Sequence, residues 1–276
     1  MSATATVPAT RAASRPTGDV RVTFGRLVRS EWIKLWTVRS TWWVLPITIV
    51  AQAGIAWMIA YFGMQQIESG TAGDMGRFGA GELVGGIQFA QLAICVLAVL
   101  TITGEYSTGM IRSTLTAAPA RVPALLAKGL VTVAVAFVTG IVGTILSWAV
   151  TYPVLDASTR IDLSLAENQR ILLGAPLYLA AIALLAYGIG AMLRHSAGAL
   201  ATVLGLLLVV EGVLSMIPWK FFQTISPYLP MSAGSQVVRA EYPDAVLGPW
   251  QGYGVLVAWG VVALAAAALL LRRRDA

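Results

Sequence analysis

Six long apolar runs, separated by short polar connections, dominate the chain. They cover about 42–62, 83–103, 124–150, 171–193, 197–217 and 251–271. Each is close to or longer than the roughly 20 apolar residues that a helix needs to cross a hydrocarbon core, so each predicts a transmembrane helix. The third run is longer than a crossing requires, which predicts tilt or extension past the interface. Residues 22–40, ahead of the first run, follow a different pattern. On a helical wheel Phe24, Leu27, Val28, Trp32, Leu35 and Trp36 gather on one side, and Arg26, Arg29, Ser30, Lys34 and Thr37 on the other. Glu31 falls near the apolar arc and Ile33 near the polar one. The reading favoured here is a basic, tryptophan-bearing amphipathic helix in the plane of the membrane interface; the alternative is a plain lead-in to the first span. Between the fifth and sixth runs, 218–250 carries Pro218, Pro227, Pro230, Pro243 and Pro249 among Trp219, Phe221, Phe222, Tyr228 and Trp250. Proline interrupts continuous helix and aromatic side chains favour the interface, so this segment predicts short helices and turns that dip into or lie along the outer leaflet.

Composition agrees. The chain is 57% apolar and 12% charged, about half the charge of a soluble domain, and six such helices could not be covered by the polar surface that remains. The expected fold class is an all-α integral membrane protein with six transmembrane helices and an N-terminal interfacial amphipathic helix. Residues 1–20, rich in Ala, Thr, Ser, Arg and Pro, lack the apolar core of a signal peptide and predict a disordered cytoplasmic tail. Residues 21–276 are expected to form one six-span transmembrane domain. If the N-terminus is inside, fourteen of the nineteen Lys and Arg residues fall on inner segments and five on outer ones. That is the asymmetry of cytoplasmic loops, and it predicts a multi-pass plasma-membrane protein with both termini in the cytoplasm. The net charge of +6 is accounted for by anionic inner-leaflet lipid and calls for no nucleic-acid partner.

Several chemistries are missing from the sequence. It contains no Gly-x-x-x-x-Gly-Lys-Ser/Thr, Gly-x-Ser-x-Gly or His-Glu-x-x-His, and no paired Cys motif. Cys95 is the only cysteine and His195 the only histidine, which argues against disulfides and His- or Cys-rich metal sites. The expectation is a non-enzymatic subunit with no cofactor of its own. Glu211 is the one acid well inside a span, flanked by Val209, Val210, Gly212 and Val213. A carboxylate at that depth faces protein or a water-filled cavity, or is protonated. It is a pathway or proton contact on one reading, and a residue that snorkels or pairs within a dimer on the other. Small residues recur at helix-packing spacing, in Ala136/Gly140, Thr139/Gly143 and Ala186/Gly190, and suit packing within the subunit.

The 104–123 connection, read Gly104-Glu105-Tyr106-Ser107-Thr108-Gly109-Met110-Ile111-Arg112-Ser113-Thr114-Leu115 at its start, mixes charged and apolar residues and ends at Pro119 and Pro123. Ser107-Thr108-Gly109 predicts a turn. Docking to a soluble partner and a solvated connector are equally open on the residues alone. Together with 30–43 (Ser-Glu-Trp-Ile-Lys-Leu-Trp-Thr-Val-Arg-Ser-Thr-Trp-Trp), Tyr228-Leu229-Pro230, Ala233-Gly234 and the closing 271–276, this stretch resembles the permease subunits of type-2 ABC exporters of the actinobacterial kind. The resemblance covers nearly the whole chain after residue 20. It implies an efflux transporter in which two six-span subunits, as a homo- or heterodimer, form the pore and separate ATPase subunits bind ATP and Mg beneath it. It also implies a re-entrant outer hairpin near 218–250 and an ATPase-coupling helix at about 105–118, carrying Glu105, Tyr106, Met110, Ile111 and Arg112. The interfacial helix would carry Glu31, Trp32, Lys34, Leu35 and Arg39. Met110 stands where that family usually has Thr or another small polar residue. A non-transporting membrane scaffold and a proton-coupled carrier are the rival expectations.

Overall fold

In the computed structural model, residues 23–69, 78–110, 121–240 and 245–273 are described. They are helical throughout their ordered elements, with no strand among the described residues. Six helices are long and apolar enough to cross a membrane: Arg39–Glu68, Ala80–Ser107, Arg121–Thr151, Ala166–Leu193, Ser196–Leu214 and Pro249–Arg273. The six predicted spans are all present, and most run past the apolar stretch that announced them.

The elements in order are α1 (Phe24–Thr37), α2 (Arg39–Glu68), the single turn α3 (Ala80–Leu83), α4 (Ile87–Ser107), α5 (Arg121–Thr151), α6 (Ala166–Leu193) and α7 (Ser196–Leu204). A π-helical turn (Gly205–Val210) leads into α8 (Glu211–Met216); α9 (Lys220–Ile225) and α10 (Pro230–Gly234) follow, and α11 (Pro249–Arg273) closes the chain. At 1.5 Å per residue the 31 residues of α5 extend about 46 Å, well beyond the roughly 30 Å of hydrocarbon, as its long apolar run anticipated.

Helix α6 is the centre of the bundle and packs on α4, α5 and α11. Its Tyr178, Leu179, Ile182, Leu185 and Tyr187 are fully buried. Tyrosine at that depth requires a partner: Tyr178 donates to Gln91 Oε1 of α4, and Tyr187 donates to the Leu125 carbonyl of α5 at 2.8 Å. Buried threonines bond back to their own helix. Thr103, Thr132, Thr139 and Thr151 donate to the carbonyls of Val99, Lys128, Val135 and Ser147, so these four hydroxyl protons are satisfied within the apolar interior.

The small-residue pairs are used inside the chain. A Cβ on Gly140 would lie 2.6 Å from the Pro176 Cα of α6, and one on Gly190 would lie 2.9 Å from Ile102 of α4; these glycines bring helix backbones together. Pro176 and Pro46 sit inside α6 and α2 without ending them, because packed neighbours compensate a missing hydrogen bond within a bundle.

Candidate functional sites at the two ends of the bundle

The end of the bundle that carries α1 holds a buried cluster of four charges. Helix α1 buries two residues, Glu31 and Leu35, one turn apart on the same face. Glu31 thus lies within the apolar arc as the wheel placed it, and opposite charge on its neighbours makes that tolerable. Lys128 Nζ, from the first turns of α5, lies 2.6 Å from Glu31 Oε2 and 2.8 Å from Glu105 Oε1 at the end of α4. Lys34 Nζ lies 2.7 Å from Glu31 Oε1 and 3.0 Å from the same Glu105 oxygen. Two acids and two ammonium groups balance to zero, so the desolvation of each is offset by partners on both sides. Glu31, Glu105 and Lys128 are each no more than 6% exposed; Lys34 is the outermost, its side chain 30% exposed. Burial pulls the Lys34 ammonium down, but the hydrogen bonds and charges of Glu31 and Glu105 outweigh it and raise its pKa above the ordinary value. Glu105 Oε2 is buried without a hydrogen-bond partner.

The quartet fastens α1 to two spans at once. The turn into α2 is also held: Trp42 Nε1 donates to the Trp36 carbonyl at 2.9 Å, and the two rings meet edge to face at 5.3 Å. Trp32 and Arg39 are exposed, Trp32 with its ring 5.6 Å from that of Trp36. The basic Arg26 and Arg29 are also exposed, on the side of α1 away from Glu31 and Leu35.

Of the expected coupling residues, Glu105 is turned inward to the quartet. Tyr106 is half-buried under the Arg194 guanidinium, 5.2 Å from its ring centre, a cation–π contact. Helix α4 ends at Ser107 and the chain turns at Gly109 with φ +72°, a left-handed conformation suited to glycine, at the turn that the residues predicted. Met110 is exposed. Ile111 and Arg112 lie outside the described residues, as does most of the expected helix at 105–118.

At the opposite end, the segment between α8 and α11 folds back into the bundle. The Tyr228 carbonyl accepts from Trp259 Nε1 at 3.0 Å, ten residues or about 15 Å along α11 from its start. This is the re-entrant hairpin. Its tip, α10 and the following 3-10 turn Ser235–Val238, is held by opposite charges at its two ends. Glu211 is buried and accepts from the Met231 and Ser232 backbone N–H groups, at 2.6 and 2.7 Å, and from the Ser232 hydroxyl at 2.7 Å. Those amides belong to the first turn of a helix that begins at Pro230 and would otherwise have no acceptor. Arg170, at the start of α6, donates to the carbonyls of Gln236, Val237 and Arg239 at 3.0–3.1 Å. A carboxylate at the amino end and a guanidinium at the carboxyl end both complement the helix dipole. Glu211 is therefore an intramolecular anchor. Its reach depends on the π-helical turn just before it, a distortion common where a helix must aim one side chain.

Sequence reasoning singled out Glu31, Lys34, Glu105 and Glu211 but not Lys128 or Arg170. The signal was present: an ionisable residue inside or at the lip of an apolar run calls for a named opposite partner. Among the described residues no group of three or more His, Cys, Asp or Glu is arranged to hold a metal. Cys95 is fully buried, and His195 caps α7 by accepting from the Gly198 N–H at 3.1 Å. Comparison with protein-family models and with curated proteins returns no match for this chain.

Proposed function

We propose that the chain is the membrane-spanning subunit of an ATP-driven exporter of the type-2 ABC class, moved by separate ATPase subunits at the α1 end of the bundle. The observation that supports this most is the quartet. It ties an interfacial helix to the ends of α4 and α5, so a force applied to that end passes into two spans as a unit. The connection that follows Glu105 starts there, with Met110 exposed, and the sequence lacks a nucleotide-binding motif of its own. The distribution of Lys and Arg supports a cytoplasmic position for that end, where ATP is. The coupling requirement is that the ATPase states bind this end with different affinities. A second permease subunit completes the pore.

The test is to purify the chain from its native membrane in a mild detergent. An ATP-hydrolysing subunit should accompany it and be lost from the doubly substituted Met110→Asp, Arg112→Ala chain. Undiminished co-purification and hydrolysis would overturn the reading.

A further inference from the structure

A cleft of about 300 Å³ opens at the far end of α5, between its last turns and the connection to α6. Lys128, in the quartet, is level with the interfacial helix, and Trp148, in the cleft wall, stands twenty residues further along α5. At 1.5 Å per residue that is about 30 Å, the thickness of the hydrocarbon core. The cleft therefore lies at head-group depth in the leaflet that faces away from α1.

One wall of the cleft carries donors. Trp148 and Tyr152 are exposed, one turn apart on α5, with ring centres 5.5 Å apart. Arg160 folds back from the connection: its guanidinium lies 4.0 Å from the centre of the Tyr152 ring, and Nη1 donates to the Tyr152 hydroxyl oxygen at 3.2 Å. This stacking fixes the plane of the guanidinium and occupies one of its five N–H groups. Among the described residues no carboxylate pairs with Arg160, and neither the Trp148 indole N–H nor the Tyr152 hydroxyl proton meets an acceptor. Of the other polar groups in the lining, the Thr151 hydroxyl is given to the Ser147 carbonyl. Asp162 is the one acid, and its Oδ1 accepts from the Ser164 N–H and hydroxyl at 2.8 and 2.6 Å. Leu155, Ile161 and Leu163 make the remaining side apolar.

A phosphate is the acceptor that suits this wall. A guanidinium binds it through paired N–H groups, and the hydroxyl and indole protons suit its further oxygens. The apolar side suits the first methylenes of an acyl chain, and Asp162 suits an ammonium group that follows the phosphate in the same head. We propose that the cleft holds a zwitterionic phospholipid of that leaflet, with its phosphate on Arg160, Tyr152 and Trp148 and its ammonium toward Asp162. The inference does not rest on the transport reading, because binding is measured on the chain without an ATPase.

The experiment uses the full chain in dodecyl maltoside, a detergent without phosphate. The probe is a phosphatidylethanolamine with a diazirine at the glycerol end of one acyl chain, and labelled peptides are mapped. Label is expected on 148–163, about tenfold above that from the matching diacylglycerol (about 1.4 kcal/mol). Arg160→Gln, at an exposed position, should bring labelling down to the diacylglycerol level. Unlabelled phosphatidylethanolamine should compete, phosphatidylglycerol should compete less well, and millimolar inorganic phosphate should not compete. Equal labelling by the diacylglycerol, or full labelling of the Arg160→Gln chain, would overturn the proposal. Displacement by inorganic phosphate would overturn the lipid assignment, and equal competition by phosphatidylglycerol the zwitterionic one. The comparison of phospholipid with diacylglycerol uses the unaltered chain and does not depend on how any variant folds.

Discussion

Glu31 of the interfacial helix and Lys128 of α5 meet at 2.6 Å, both almost fully buried, although ninety-seven positions separate them in the chain. Each also has a second partner of opposite sign. Removing one member of such a group leaves an uncompensated buried charge, at a cost of about 3–5 kcal/mol. Lys128→Met and Glu31→Gln should each lower the melting temperature in detergent sharply. Glu31→Gln combined with Lys128→Met should lose less than the two single effects added together. Additive losses would mean that the two side chains do not act as a pair.

The same cluster sets an alkaline limit. The Lys34 pKa is raised above its ordinary 10.5. Its contribution to holding α1 is thus complete below that ordinary value and is lost as pH climbs through the higher folded one. Stability should be flat in this respect from about pH 7 to about pH 10 and fall above it, with the alkaline fall smaller in Lys34→Met. A melting curve series across that range checks it; an identical fall in the variant would remove Lys34 from the explanation.

Glu211 makes three hydrogen bonds to the tip of the hairpin. Glu211→Ala leaves two amides of a partly buried helix start without an acceptor, each worth about 1–3 kcal/mol. Hydrogen exchange at residues 230–235 should quicken by one to two orders of magnitude, on the order of that cost. If Glu211 served chiefly as a proton carrier, Glu211→Gln would abolish transport while leaving exchange at the tip unchanged, and that result would favour the proton-coupled reading.

Arg170 meets three carbonyls through a forked, planar group. Lysine offers a point charge in place of the fork. Arg170→Lys should therefore speed exchange across 236–240 almost as much as Arg170→Met, while exchange within α6 beyond its first turns stays slow. Full protection in the lysine variant would show that charge alone holds this end.

Gly252 lets α11 lie against the hairpin: a Cβ there would run into the Ala233 carbonyl oxygen. Gly252→Ala should destabilise by about 1–3 kcal/mol through overpacking, despite alanine's better helix propensity. Gly254→Ala, where nothing lies within 4 Å of the added carbon, should be neutral or slightly stabilising. Paired melting curves of the two variants provide the comparison.

Much of the architecture was legible in the residues. Apolar length alone placed six spans, because in lipid a backbone must satisfy itself within a helix. The stripe on 22–40 identified α1, and Ser107-Thr108-Gly109 marked the end of α4. The roles of the charges were less legible. Glu31 read as an imperfection in a stripe because its buried partner Lys128 comes from a distant segment and single-helix periodicity carries no such information. Glu211 left its partners unannounced for a different reason: they are mainly backbone amides, which every residue but proline possesses. The π-helical turn at Gly205–Val210 was invisible too, since its run of Leu and Val fits an ordinary helix equally well.

That wide turn holds roughly one surplus residue relative to a regular helix, and everything after it is rotated by about 100°. Deleting a single leucine from 206–208 would let the fifth span rewind evenly. The acid would then keep its perch, because the deleted residue is the surplus one, whereas the full-length segment wound evenly would turn Glu211 by about 100° away from the amides that it holds.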